Sequence, residues 1–135
     1  MLNYGEKAAE LFSQGYNCAQ SVVGAFAEHF GMDTDTLLRL ASPFGGGLAG
    51  TRGTCGAVSG MVMVAGLISG YSEAGASSKK QAVYALAREM MEEFEKENGS
   101  VICSELLARQ REGTEKKKPC GELCAIAADI AAKYL

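Results

Sequence analysis

A chain of 135 residues and 14.2 kDa has room for one domain around one core, which excludes multi-domain catalytic assemblies. Its 13 Lys and Arg against 16 Asp and Glu leave a formal charge of -3, so no basic surface is expected to hold a phosphate backbone and nucleic acid is excluded as a partner. Apolar residues at 47% suffice for a core and two prolines leave little for linkers, while 17 glycines and five cysteines, beside a single histidine and no tryptophan, are the counts that ask for an explanation.

In chain order, Asn3 to Gln14 sets Ala8, Leu11 and Phe12 on one face and predicts a short amphipathic helix stopped at Gly15. Asn17 is a suitable cap for a second helix from Cys18 to Phe30, with Val22, Val23, Phe26 and Phe30 inward and Gly31 as its end. A third follows Asp33, with Leu37, Leu38 and Ala41 inward, and is closed by Ser42-Pro43. The glycine loop from Gly45 to Gly53 leads into an apolar helix from about Thr54 to Ser69, and Gly70 to Ser78 reads as a polar turn region. Ser77 to Asn98 is the strongest helix, its buried stripe being Val83, Leu86, Ala87, Met90 and Phe94. A short helix near Cys103 to Arg109, a charged loop from Gln110 to Pro119 and a final helix from about Cys120 to Tyr134 complete the chain. No stretch alternates long enough to demand a strand, so the fold class is all-α: a single domain, 1–135, built as a compact bundle of about five to seven helices around the buried Gly/Ala-rich one.

The start, Met1 to Lys7, has neither a basic region nor an apolar core of the kind secretory signals carry, so a cytoplasmic location is expected. Gly53 to Ser72 carries no charge and contains Gly56-x-x-x-Gly60 and Gly66-x-x-x-Gly70, spacings also found in membrane helices. Only Ala57 to Ile68 is near-continuously apolar, too short to span, so a buried helix of a soluble bundle is expected and no membrane.

Several motifs point to bland roles. Gly45-x-Gly47-x-x-Gly50 matches the dinucleotide fingerprint as letters, but no strand precedes it, and Thr51-Arg52 stands where a phosphate loop needs Lys followed by Ser or Thr. No nucleotide is therefore expected; the loop is read as backbone passing close to a packed site or bound cofactor, with Gly53 and Gly56 as the positions of approach. His29 reads as a partly exposed helix-end residue. Lys116-Lys117-Lys118, beside Glu112 and Glu115, reads as solvated surface.

The cysteines carry more. In a reducing compartment five of them argue for metal binding or redox chemistry over structural disulfides, and an odd number cannot all pair. Cys18, Cys55, Cys103 and Cys120 each fall in or beside the first turn of a predicted helix, where unpaired N–H groups and the dipole favour the thiolate. Arg52 is placed to add to this effect at Cys55. Cys120 shares a face with Leu123, Ala127, Ile130 and Tyr134, and Cys18 with Val22 and Phe26, so both are expected to point inward and to converge as disulfides or a four-sulfur metal site. No C-x-x-C occurs, so such a site would be assembled wholly by tertiary structure, and without C-x-x-C-H there is no haem attachment. Cys120-x-x-x-Cys124 is a helical pair, with the role of Cys124 open.

Asn17-Cys18-Ala19-Gln20, Phe44-Gly45-Gly46-Gly47, Cys55-Gly56-Ala57-Val58-Ser59-Gly60, Cys103 before Glu105-Leu106-Leu107, and Cys120 opening a terminal helix together resemble the C_GCAxxG_C_C family, described as small redox-active proteins with four characteristic cysteines. The resemblance covers nearly the whole chain. It implies that Cys18, Cys55, Cys103 and Cys120 are the family's cysteines and Cys124 an extra one, with redox activity inferred largely from the cysteines themselves. A similar domain in split-Soret-type cytochromes is associated with an iron-sulfur centre, which makes cluster binding an implied alternative.

The expectation is a redox-active protein whose four cysteines, as redox thiols or as metal ligands, gather at helix starts around one site and act by thiol/disulfide cycling or through an iron-sulfur centre. Its partner would be an electron-transfer or thiol protein, and small residues on helix surfaces make room for a homodimer. The rival from another class is a non-catalytic module, stabilised by zinc or built for protein interaction, in which the cysteines are buried filler. Whether the protein is an enzyme is left open.

Overall fold

The computed structural model describes residues 3–111 and 119–135, and the backbone alone for Gln110 and Arg111. Among these the chain forms seven α-helices: α1 (Tyr4–Ser13), α2 (Cys18–Gly24), α3 (Thr34–Ala41), α4 (Gly56–Ser69), α5 (Ser77–Asn98), α6 (Cys103–Arg111) and α7 (Cys120–Ala132). A single 3-10 turn, Ser42–Phe44, follows α3, and the one extended contact is an isolated antiparallel bridge between Thr54 and Ile102. The fold is all-α. Of the charged loop expected from Gln110 to Pro119, Gln110 and Arg111 belong to α6 instead, and residues 112–118 lie outside the described residues.

Local chemistry starts the first three helices. Asn3 accepts from the Glu6 N–H at 2.8 Å while Glu6 returns a bond to the Asn3 N–H, and Asn17 and Gln20 repeat this reciprocal box at α2, at 3.0 and 3.1 Å. Asp33 caps α3 through the Thr36 N–H at 2.9 Å. The cap of α2 is also a tertiary tie, because Asn17 Nδ2 donates to the Ser42 carbonyl at 2.9 Å and Gln20 Nε2 to that of Leu38 at 3.1 Å. The Asn-Cys-Ala-Gln signature thus fixes where α2 begins and which part of α3 it meets.

The second helix is shorter than its apolar spacing predicts. After Gly24 the backbone tightens into turns, with Phe26 N–H bonded to Val23 and Ala27 N–H to Gly24, at 3.1 and 3.2 Å. Ala25, Phe26 and Ala27 stay buried through this change, so burial rather than helical geometry decides their side-chain directions. His29 lies in this segment, exposed, with Nδ1 at 3.0 Å from the Tyr4 hydroxyl.

The core is centred on α4, whose Ala57, Val58, Met61, Val64 and Ala65 are all buried, against Val22, Val23 and Phe26 from α2 and its extension, Met90 and Phe94 from α5, and Ala127 and Ile130 from α7. No helix among the described residues is long and apolar enough to cross a membrane. The two glycine pairs of α4 behave differently. A Cβ on Gly60 would stand 2.8 Å from the Ala19 carbonyl oxygen and from Val22 Cβ, so this pair lets α2 and α4 touch backbone to backbone. Gly66 is exposed and a Cβ there would meet nothing within 4 Å, so the second pair packs against no neighbour.

Candidate functional site: a cavity lined by four cysteines

The close approach of α2 and α4 brings two helix starts side by side. Cys18 opens α2, Cys55 occupies the cap position of α4, and a Cβ on Gly56 would lie 3.0 Å from Cys18 Cβ. A third helix start is fastened by the backbone after the glycine loop. Cys55 N–H donates to the Val101 carbonyl at 2.8 Å, Cys103 N–H to that of Gly53 at 2.6 Å and Ser104 N–H to that of Arg52 at 3.2 Å. The fourth arrives with α7, which packs on α1, α2 and α4 and starts at Cys120.

The result is one cavity of about 200 Å³ lined by Cys18, Cys55, Cys103 and Cys120. Its other walls are Phe12 from α1, Leu106 and Leu107 from α6 and Leu123 from α7, with Asn17, Arg52, Gly46, Gly47 and Gly56 supplying the polar and backbone surface. Gly53, a predicted point of approach, is set back from this wall, its N–H bonded to the Gly47 carbonyl at 2.7 Å. Gly46 and Gly47, from the loop read as passing close to a packed site, take that place.

The loop that supplies them is wound left-handed. Gly46, Gly47, Leu48, Ala49 and Gly50 are consecutive residues with positive φ, and Arg52 follows with φ 65°. At Leu48, Ala49 and Arg52 this conformation costs about 1 kcal/mol or more each, and it is held by a dense set of bonds: Ala49 N–H to Pro43, Arg52 N–H to Gly46 and Gly53 N–H to Gly47, at 2.7, 2.9 and 2.7 Å. Gly47 is where glycine is required twice over: φ is 72° and a Cβ would stand 2.6 Å from Cys103 Cβ. The same winding aims Arg52 at a cysteine other than the one expected. Its Nη1 donates to Cys103 Sγ at 3.8 Å, placing a guanidinium against that sulfur instead of Cys55.

Electrostatics corrects the simple helix-start argument. At Cys55, burial pushes the thiol above its ordinary range, outweighing the Val58 and Ala57 N–H groups that favour the anion, and charge on Cys103 or Cys120 pushes it further up. At Cys18, a hydrogen bond from Cys120 favours the thiolate, but the contact with Cys124, burial and the neighbouring thiols' charge together raise the thiol well above its usual value. The amide donors expected at α6 are in part taken, since Cys103 and Ser104 N–H groups already serve loop carbonyls. The cavity therefore keeps Cys18 and Cys55 protonated at neutral pH.

No disulfide joins the five cysteines, and no group of three or more His, Cys, Asp or Glu side chains among the described residues is arranged to hold a metal ion. Cys124 lies behind the cavity, fully buried, its sulfur directed at the Cys18 carbonyl at 3.9 Å and in contact with the Cys18 thiol.

These helix starts carry the ordered cysteine signature seen in the sequence, and the sequence profile of one family matches residues 16–134. The chain belongs to the C_GCAxxG_C_C family. That family carries the description "Putative redox-active protein", and its match runs from just before the cap of α2 to the end of α7, taking in every wall of the cavity except Phe12. No curated protein matches the chain significantly, and neither does any solved structure.

Proposed function

We propose that this member of the C_GCAxxG_C_C family is a dithiol redox protein that exchanges electron pairs with a partner protein through its cavity cysteines. The observation that carries the reading is the convergence of Cys18, Cys55, Cys103 and Cys120 on one apolar-walled cavity, with Cys18 and Cys120 in thiol contact. In the oxidising direction, two cavity thiols and one partner disulfide become one cavity disulfide and two partner thiols; two protons and two electrons pass to the partner sulfurs. In this direction the nucleophile is a cavity thiol in its thiolate form, and with Cys18 and Cys55 held protonated a docked partner that presses its disulfide against the cavity sulfurs is favoured. A reducing, cytoplasmic setting suits such a dithiol.

A second reading has its own support. The cavity wall carries four thiols among apolar side chains, Asn17 and Arg52, with neither carboxylate nor imidazole, and thiolate sulfur is the donor chemistry of iron-sulfur clusters. Cys18, Cys55, Cys103 and Cys120 would be the residues to hold one, and a bound cluster would supply one-electron transfer. A single zinc ion is favoured less, since no three ligand side chains among the described residues are arranged around one point.

One preparation decides. The protein is purified anaerobically, its visible spectrum, iron and acid-labile sulfide are measured, and its free thiols are counted before and after oxidised glutathione. A colourless, iron-free protein whose thiol count falls by two or four and recovers with dithiothreitol supports the dithiol reading. Stoichiometric iron and sulfide with thiolate-to-iron absorption replaces it by the cluster reading, and thiols that neither oxidise nor bind metal leave the cysteines as packing.

A further inference from the structure

The mechanism above leaves one buried nucleophile unused. Cys124 sits one turn beyond Cys120 on the same face of α7, and both are side-chain partners of Cys18. Cys120 lines the cavity and is partly exposed, whereas Cys124 is fully buried, with its thiol 3.9 Å from the Cys18 carbonyl oxygen. The Cys18 thiol touches both of the other thiols. Five cysteines also leave one thiol over whenever two disulfides have formed.

We infer that Cys124 is an internal exchange thiol, which moves a Cys18–Cys120 disulfide to Cys18–Cys124 and so transfers the oxidised bond from the cavity to the core. The inference rests on the dithiol reading. In the step, the Cys124 sulfur attacks Cys18 Sγ, the Cys18–Cys124 bond forms as the Cys18–Cys120 bond breaks, and the proton given up by Cys124 ends on Cys120. No electron is gained or lost. Cys120 returns to the cavity as a thiol, able to engage the next oxidising equivalent, while the bond already stored lies behind Cys18 and away from solvent reductants.

The test follows disulfide connectivity in time. Reduced full-length protein receives a limiting pulse of oxidised glutathione, the reagent is removed, and samples are quenched in acid, alkylated, digested and mapped by fragmentation mass spectrometry. The expected result is a Cys18–Cys120 bridge that falls roughly two-fold or more as Cys18–Cys124 rises, at constant total disulfide. The Cys120→Ala variant should still form the Cys18–Cys124 bridge, and Cys124→Ala should hold Cys18–Cys120 constant in time. A Cys18 bridge confined to one partner at every time overturns the inference. Absence of any bridge among the five cysteines at any dose is a different result, which overturns the dithiol reading itself.

Discussion

At the scale of single residues, the site depends on atoms that are missing as much as on the sulfurs. Gly47 combines a left-handed φ with contact against Cys103, and Gly56 has only a close approach to Cys18, so the two separate conformational strain from crowding. Gly47→Ala should lower stability by about 2 kcal/mol or more and Gly56→Ala by about 1 kcal/mol, both read as midpoint shifts in urea unfolding. Equal losses would mean that the loop conformation carries no special cost. The thiols make a second prediction, in pH. Cys18 and Cys55 hold their protons more tightly in the folded chain than at the ordinary thiol value of 9.0. Above that pH the unfolded chain releases these protons first, so the folded state binds more of them and stability falls as pH rises; below it the contribution is fully present. The decline above pH 9 should be shallower in Cys55→Ala than in the parent protein.

At the scale of elements, helix starts explain the placement of function. Cys55 caps α4, Cys18, Cys103 and Cys120 open α2, α6 and α7, and each start is fixed by bonds that do not involve sulfur: the Asn17–Gln20 box, the Val101 and Gly53 carbonyls, and Pro119 before α7. The N–H groups of Cys55, Cys103 and Ser104 thus serve carbonyls of neighbouring segments, while those of Ala57 and Val58 act on the Cys55 sulfur. The capping boxes at Asn3-x-x-Glu6 and Asn17-x-x-Gln20 are spelled in the sequence by their spacing, although of these residues only Asn17 is read there as a cap. The central helix gives a paired prediction. Gly60→Ala should cost about 2 kcal/mol by pushing α2 off α4, whereas Gly66→Ala, exposed and uncrowded, should gain about 0.5 to 1 kcal/mol through helix propensity. Opposite signs in thermal unfolding check that only one of the two glycine pairs is a contact.

At the scale of the molecule, the four sulfurs join segments from both ends of the chain. A Cys18–Cys120 bridge would close a loop on the order of a hundred residues, worth up to about 4 kcal/mol if the folded geometry accepts it without strain. The oxidised protein should thus melt higher than the reduced one, with the difference abolished by dithiothreitol and absent in Cys18→Ala. An oxidised form that melts lower would show that bridging distorts the helix packing. Under the dithiol reading oxidation state and stability would be coupled, because the four cavity sulfurs sit where α1, α2, α4, α6 and α7 meet.

The sequence by itself determined the helices and their starts, since apolar periodicity, caps such as Asn17 and Asp33, and the breaks at Gly15 and Ser42-Pro43 are local chemistry. It also marked the four family cysteines by their place at those starts. It overextended α2 through Phe30, because burial of Ala25, Phe26 and Ala27 keeps an apolar pattern even where the backbone leaves the helix. Only the tertiary structure decided the loop, whose left-handed residues include Leu48, Ala49 and Arg52, side chains that no local preference would place there. The fold likewise turned Arg52 from Cys55 to Cys103, set Gly53 behind Gly47, and raised the thiols that helix dipoles alone would lower. Local order along the chain assigns each cysteine to a helix start, but the dielectric and the neighbours of each sulfur are set by segments up to a hundred residues away, and those decide its chemistry.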